Sequence, residues 1–280
     1  MNSTTKNFSV AMCVYKNDNP EHFKQALDSV IYQSLPPSEI ILVIDGPVSS
    51  SIMNIIHEYT SKLDSFRPIW LKKNRGHTIA REIALENCTY DLVAIMDSDD
   101  ISMPDRFKNQ VKCFEEDEEL SVVGGIITEF VENKENIVSI KRVPLSDEGI
   151  KSYIKSRNPI NNVTAMYKKE HVKKAGGYEK LYYCYEDYYL FVRMYEMGCK
   201  FKNIDDVLVN VRVGNDMYSR RGGYKLFVSN IKLQNYMLRN RLISIWRYLF
   251  NIIISFLIRV ILTDRLRGYL YRKFLRSNNV

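Results

Sequence analysis

Asp97-Ser98-Asp99-Asp100 sets three carboxylates within four residues. The run Tyr90-Asp91-Leu92-Val93-Ala94-Ile95-Met96 before it reads as a buried strand, and Met103-Pro104-Asp105-Arg106-Phe107 after it as a helix start. The acidic group therefore falls in a loop at the C-terminal end of a strand, where open α/β sheets bind ligands. Like charges packed so closely repel unless a cation or hydrogen-bond donors offset them. A hard divalent cation shared between a few carboxylates and a diphosphate is one common solution. An acidic surface turn capping the next helix is the other reading open to the tetrad alone.

Other polar groups fall at the ends of neighbouring strands: Tyr15 after the first, Asp45 after the second and Asn74-Arg75-Gly76 after the third. Parallel strand order would align them along one rim. A tyrosine face can stack on a base, a carboxylate can accept a ring N–H, and a glycine lets backbone approach phosphate. Singly each is weak: Tyr15 also suits packing, and Asp45-Gly46 is an ordinary turn signal. Arg81 lies one helical turn after His77, so it can reach the rim or pair with Glu82 or Glu86 in solvent. A second acidic pair, Glu186-Asp187, opens a helical segment, where capping is the plain alternative to chemistry. Arg212, Arg220 and Arg221 flank a glycine-containing stretch that can clamp a diphosphate or remain a solvated basic loop. None of His22, His57, His77 and His171 has metal-ligand spacing.

The elements that must position these groups alternate. Phe8–Val14 is strand-like. Asn19 and Pro20 then start a helix with Phe23, Leu27, Val30 and Ile31 on one face. Ile40–Ile44 is a second strand, and Ile52, Ile55, Ile56, Tyr59 and Leu63 mark a second helix. Pro68–Leu71 is a short third strand, His77–Asn87 a helix, and Leu92–Met96 the fourth strand. Continuous apolar strands alternating with helices imply a parallel sheet covered on both faces. Farther on, Val122–Phe130 and Ile137–Val143 suggest a hairpin. Asn162–Tyr167 reads as a strand, Gly176-Gly177 closes a short Lys-rich helix, Glu186–Met197 is a longer helix, and Asp206–Val213 is a late strand.

At 280 residues the chain can bury a full core with one large domain and an appendage. Five scattered cysteines without a C-x-x-C pair argue against a disulfide framework or zinc site and suit a reducing compartment. Without a signal-peptide pattern at the N-terminus, a cytoplasmic location is expected. The net charge of +7 gathers at the end: from Met217 onward about a dozen Lys and Arg face one acid, Asp264. Leu242–Leu262 is the most apolar stretch, but Arg247, Asn251 and Arg259 make a span costly. An amphipathic helix on an anionic membrane surface is the preferred expectation, with a core helix as the alternative.

Taken in order and spacing, several motifs resemble the family-2 glycosyltransferases of GT-A fold that elongate bacterial surface polysaccharides. They are Ser9–Asn17, Ile44-Asp45-Gly46, Asn74-Arg75-Gly76 with Ala80-Arg81, Met96–Asp100, Gly176-Gly177-Tyr178 and Tyr185–Leu190. The resemblance runs from about Phe8 to Val213. One departure is Ile44, where many relatives carry a second Asp. The resemblance implies a Rossmann-like α/β fold of GT-A type, a mixed sheet flanked by helices, to which the composition adds a helical membrane-associating C-terminal extension. Residues 1–215 would form the catalytic domain (1–100 nucleotide-binding, 101–215 acceptor-binding), and 216–280 the basic, apolar extension. It implies a nucleotide held by Val14, Tyr15, Asp45, Asn74, Gly76, Arg81, Asp97 and Ser98, with Mn²⁺ or Mg²⁺ on Asp99. Asp187 would be the base and Glu186 its supporting or acceptor-binding carboxylate, and the helix N-terminus should keep Asp187 ionised. The segment Val211–Gly223 is similar to one that follows the late strand in some polysaccharide transferases.

The activity so implied is inverting, metal-dependent transfer of a hexose, with UDP-galactose or UDP-glucose favoured. The acceptor would be a sugar on undecaprenyl diphosphate, in O-antigen or capsule synthesis at the inner membrane face. A sugar-nucleotide nucleotidyltransferase is the enzymatic alternative, but Tyr15–Asn19 lacks the glycine-rich loop it would need. The basic tail also prompts a nucleic-acid-binding reading; its interleaved apolar residues favour lipid, so no nucleic acid is expected.

Overall fold

The computed structural model describes residues 6–179, 184–214, 222–264 and 266–269. Its first half is built as the alternation demands. β1 (Phe8–Val14), β2 (Glu39–Ile44), β3 (Phe66–Trp70) and β4 (Leu92–Met96) alternate with α1 (Pro20–Ile31), α2 (Ser50–Lys62) and α3 (His77–Asn87). The side chain of Asn19 accepts the N–H groups of Glu21 and His22 at 2.9 and 3.2 Å, with Pro20 opening α1. Ser49 caps α2 in the same way. These four strands pair in parallel in the order β3-β2-β1-β4. Period-two alternation sends Ala11, Ile41, Val43, Val93 and Ile95 into one core, and Val10, Met12, Leu42, Ile44 and Met96 into the other.

Beyond β4 the sheet changes character. The later elements are β5 (Ile101–Ser102), α4 (Arg106–Glu116), β6 (Leu120–Phe130), β7 (Ile137–Lys141), α5 (Asp147–Tyr153), β8 (Met166–Lys168), α6 (Lys169–Lys174), α7 (Glu186–Glu196) and β9 (Lys200–Arg212). The described residues form one nine-stranded mixed sheet, in which β4 pairs antiparallel to β8, β8 antiparallel to β6, and β6 parallel to β9. The β6–β7 hairpin forms as expected. The 162–167 stretch divides into a 3₁₀ turn, Asn162–Thr164, and the three-residue β8. The late strand is longer than its apolar part, starting at Lys200 rather than Asp206. The two residues of β5 pair antiparallel with Asn210 and Val209 of β9, so the acidic loop is fastened to the sheet on both sides.

The loops of the rim approach closely. Gly46 has φ +89°, and a Cβ there would lie 2.5 Å from the Asn74 backbone nitrogen. Gly46→Ala should therefore cost about 2–4 kcal/mol, through left-handed strain plus the displaced 74–76 loop, read as a lowered urea midpoint at unchanged slope.

At the C-terminal end, α8 (Tyr224–Arg239) is followed by α9 (Ile245–Phe256) and a π turn, Leu257–Ile261. The apolar stretch read as starting at Leu242 is helical only from Ile245, because Ser244 caps α9 by accepting the Arg247 N–H. Among the described residues no helix is long and apolar enough to cross a membrane.

Candidate functional site

Val14 is buried at the end of β1, and Tyr15 beyond it is 39% exposed. The Tyr15 N–H donates to Asp18 Oδ2 (3.0 Å), which also accepts the Ser98 hydroxyl (2.9 Å). Asp18 therefore ties the β1 loop to the acidic loop. Its significance was hidden in sequence because it is one of several polar residues in an ordinary turn. Asp45 is buried and uses both oxygens on the third loop, accepting the Arg75 N–H at 2.6 Å and the Gly76 N–H at 2.9 Å. Asn74 Nδ2 returns a hydrogen bond to the Asp45 carbonyl at 3.2 Å. Tyr15 and Ser98 are joined through Asp18, Asn74 and Gly76 through Asp45, and the Asp45 N–H donates to the Val14 carbonyl at 2.8 Å, which ties the two groups along one rim.

Arg81 does not pair with Glu82 or Glu86 in solvent. It is 5% exposed and donates through Nη2 to Asp97 Oδ1 at 2.6 Å, its guanidinium 5.6 Å from the Tyr178 ring centroid. His77, one turn before it, is held neutral, its pKa lowered to about 4 first by the Arg81 charge and then by burial. Cys13 beneath them is no nucleophile, since burial pushes its thiol up to about 12.

The acidic loop is crowded with charge. Burial, then Asp97 and Asp18, raises the Asp99 carboxyl to about 6. Asp100 is 3% exposed and shifted well upward by burial and its two acidic neighbours. Arg212 holds the loop from outside: its N–H donates to Asp100 Oδ1 (2.8 Å), Nε to the Asp99 carbonyl (3.1 Å), Nη1 to the Glu132 carbonyl (2.9 Å) and Nη2 to Gln25 Oε1 (2.7 Å). With its guanidinium so engaged, Arg212 staples the loop. Arg220 and Arg221 lie outside the described residues. From beneath, the fully buried Arg106 donates to the Ile95 carbonyl at 2.7 Å and to Gln110 Oε1 at 3.1 Å.

The donor set fits a divalent cation of one kind. Among the described residues no three His, Cys, Asp or Glu side chains enclose a metal site. Asp99 and Asp97 offer one or two hard oxygens, which suits an ion that takes its remaining ligands from a diphosphate and water. Burial and then the charges of Asp97 and Asp18 raise the Asp99 carboxyl, and such an ion would relieve the second of these.

The raised Asp100 carboxyl has a stability consequence. A folded-state pKa above the unfolded value means the folded chain holds that proton more tightly, so the contribution of this group to stability falls as pH rises through the folded pKa. Asp100→Asn keeps an oxygen for the Arg212 N–H and removes the buried charge. We expect it to raise unfolding free energy at pH values where Asp100 is ionised, a gain that shrinks on acidification as Asp100 itself protonates, read by denaturant unfolding across pH.

The second acidic pair opens α7. Asp187 Oδ2 accepts Asn158 Nδ2 at 2.9 Å, and Oδ1 accepts the Tyr188 N–H at 2.7 Å. The helix N-terminus does not dominate as expected: burial raises the Asp187 carboxyl, with the Tyr188 N–H and Arg81 pulling it back. Glu186 is raised likewise by burial and then by Asp187, and its buried Oε2 has no hydrogen-bond partner among the described residues. Arg81 hydrogen-bonds Asp97 and its charge also lowers the Glu186 and Asp187 carboxyls, so both acidic groups lie within the field of one buried cation. Before α7, a Cβ on Gly177 (φ +65°) would press on the Glu82 carboxylate, whose Oε2 accepts the Tyr178 N–H at 2.7 Å. Asn158 carried no sequence signal, because its partner lies 29 residues on.

Residues 9–176 match the family described as glycosyl transferase family 2. The chain is 34% identical over 276 residues to the UDP-Gal:alpha-D-GlcNAc-diphosphoundecaprenol beta-1,3-galactosyltransferase of Escherichia coli, spanning 99% of both chains. Its fold is similar to that of S. aureus TarS 1–349 in complex with UDP-GlcNAc (TM-score 0.67, 17% identity, 90% of this chain and 72% of that one). It is also similar to the mannosyltransferase PcManGT from Pyrobaculum calidifontis in complex with GDP-Man and Mn²⁺ (TM-score 0.65, 14% identity, 95% and 72%). The rim of strand-end loops, the acidic turn beside β5 and the carboxylate pair opening α7 thus sit in a glycosyltransferase frame, and the chain belongs to glycosyl transferase family 2.

Proposed function

We propose that this glycosyltransferase moves a hexose, from UDP-galactose or UDP-glucose, onto a sugar carried by undecaprenyl diphosphate, with inversion. The observation that carries the reading is Arg81, a buried cation paired to Asp97 of the acidic loop and acting on the Glu186-Asp187 pair. Donor and base chemistry then meet across one guanidinium. Tyr15, Asp45, Asn74, Gly76 and Ser98 would line the nucleotide with Val14 beneath. Asp99, with Asp97, would hold Mn²⁺ or Mg²⁺, which supplies neutralising charge on the departing diphosphate.

The acceptor hydroxyl gives its proton to Asp187 while its oxygen bonds to the anomeric carbon. The bond from that carbon to the diphosphate oxygen breaks, and its electron pair leaves with UDP. A single displacement inverts the centre. A carboxyl raised by burial suits a base working near neutrality. Glu186, with an oxygen lacking a partner among the described residues, is available to an acceptor hydroxyl.

Residues 1–215 would form the catalytic unit, and 216–280 an extension serving a peripheral location on an anionic inner membrane face, where O-antigen or capsule is assembled. The E. coli relative acts on a diphosphoundecaprenol-linked sugar, by its name, which supports the lipid-linked acceptor. The test is to incubate the protein with UDP-galactose, Mn²⁺ and GlcNAc-diphosphate-lipid. A β-linked galactosyl product is expected. A folded protein that consumes neither UDP-galactose, UDP-glucose nor a UDP-N-acetylhexosamine would sink the reading.

A further inference from the structure

α9 is turned inside out for a helix at the edge of a protein in water. Its packed side carries Asn251 and Ser255, 9% and 8% exposed, while Trp246 (78%), Phe250 (57%) and Ile253 (57%) stand outward. Leu257, Val260 and Ile261 of the π turn extend the apolar stripe. A continuous exposed apolar face of this kind needs a partner. The surrounding charge points to which one. Arg239, Arg241 and Arg247 are exposed around it, and from Met217 onward Asp264 is the one acidic residue in the sequence. Outward Trp, Phe and Ile among arginines is the pattern of a helix lying in an anionic bilayer interface.

The polar inner side of α9 reaches toward the carboxylate pair. Asn251 Nδ2 donates to the Lys155 carbonyl and to Gln234 Oε1 of α8, each at 2.8 Å, and Arg247 Nη1 donates to Ser156 Oγ at 3.4 Å. Lys155 and Ser156 lie in the turn after α5, and Asn158 of that turn is the residue bonded to Asp187. A second route runs through Tyr185, which immediately precedes Glu186. The Arg259 guanidinium of the π turn lies 5.3 Å from its ring centroid, and its hydroxyl accepts Asn230 Nδ2 of α8 at 3.2 Å.

We propose that the outward face of α9 and the π turn docks on an anionic bilayer. Through the Asn251 and Arg259 contacts this docking braces Asn158 and Tyr185, and so orients Asp187 and Glu186 when lipid is present. The placement at a membrane rests on the reading above; the coupling of docking to the carboxylate pair goes beyond it. Asn158 and Tyr185 are positioning residues, and α9 is part of the machinery rather than a detachable anchor.

The test needs neither donor nor acceptor, so its failure and that of the transferase reading are separate. The full chain is mixed with phosphatidylethanolamine–phosphatidylglycerol vesicles or with phosphatidylcholine vesicles, and flotation and amide hydrogen exchange are read. The wild type should float with the anionic vesicles and gain roughly tenfold protection at residues 154–158 and 185–189. Phe250→Gln with Ile253→Gln should lose both. Asn251→Leu should float yet lose the added protection, and Asn158→Ala should float and lose it at 185–189, which covers a failure of Asn251→Leu to fold. The proposal is overturned if the wild type does not float, or floats with no change at those segments. Unchanged gains in both inner-face variants would also overturn it. A dimer that the Phe250/Ile253 variant dissociates, without flotation, would assign the face to a second copy and overturn it too.

Discussion

Asp187→Asn should lower turnover by about 10³-fold while leaving UDP binding and the donor KM unchanged. The amide has the shape of the carboxylate and its oxygen can still accept the Tyr188 N–H, so the α7 N-terminus should persist at the loss of the bond from Asn158 Nδ2. It cannot take a proton from the acceptor hydroxyl. Glu186→Gln should cost less, with the larger part in acceptor KM, because that side chain is assigned to binding. The pH profile supplies an independent check. The base must be ionised to act, so activity falls as pH drops through the pKa of Asp187. Burial raises that pKa above the aspartate value of 3.8, so the acid limb should lie above the ordinary aspartate range. A variant retaining a tenth or more of wild-type turnover would transfer the base role to another residue.

The second large effect concerns Asp99. UDP with Mn²⁺ at about a hundred times the dissociation constant should stabilise the fold by roughly 2.7 kcal/mol. Chelation of the metal, or Asp99→Ala, should remove most of that gain. Without ligand the variant should be at least as stable as the wild type, because the carboxyl it deletes sits in the field of Asp97 and Asp18. A thermal melt with and without UDP and Mn²⁺ reads both halves. Equal stabilisation of wild type and variant would remove Asp99 from the metal site. A shift with a different nucleotide alone would change the donor class.

The legibility of this molecule in sequence follows the range of each interaction. β1, β2 and β4 are short, mostly apolar runs alternating with helices, and local pattern suffices to find them. The acidic loop was visible because its residues are contiguous. β5 was not, since two residues cannot display an alternation, and its strand character comes from β9, more than a hundred residues later. Arg81 was legible as a rim residue, but its solvent pairs with Glu82 and Glu86 were an equal prospect. What decides is burial against Tyr178 and Asp97, a tertiary matter. Arg212 was open to either a diphosphate clamp or a solvated basic loop, and its use as a staple depends on Gln25, Asp99 and Glu132 from three distant segments. The apolar stretch Leu242–Leu262 with its arginines marked an amphipathic helix, whereas the outward placement of Trp246 and Phe250 and the grip of Asn251 on the 155 carbonyl came only with the structure.

Arg106 beneath the acidic loop and Arg81 beside it give the ligand-free protein its own counter-ions. Were a divalent cation to take Asp97, it would meet an aspartate already partnered at 2.6 Å by a guanidinium. Loading the donor would then exchange one positive partner for another, and departure of the nucleotide would let the original partner return. Such competition would weaken the bound state and speed its dissociation, so the affinity surrendered at loading would be returned as faster departure of product. Arg81 sets that balance, and relatives that alter its neighbours would be expected to differ in residence time before they differ in chemistry.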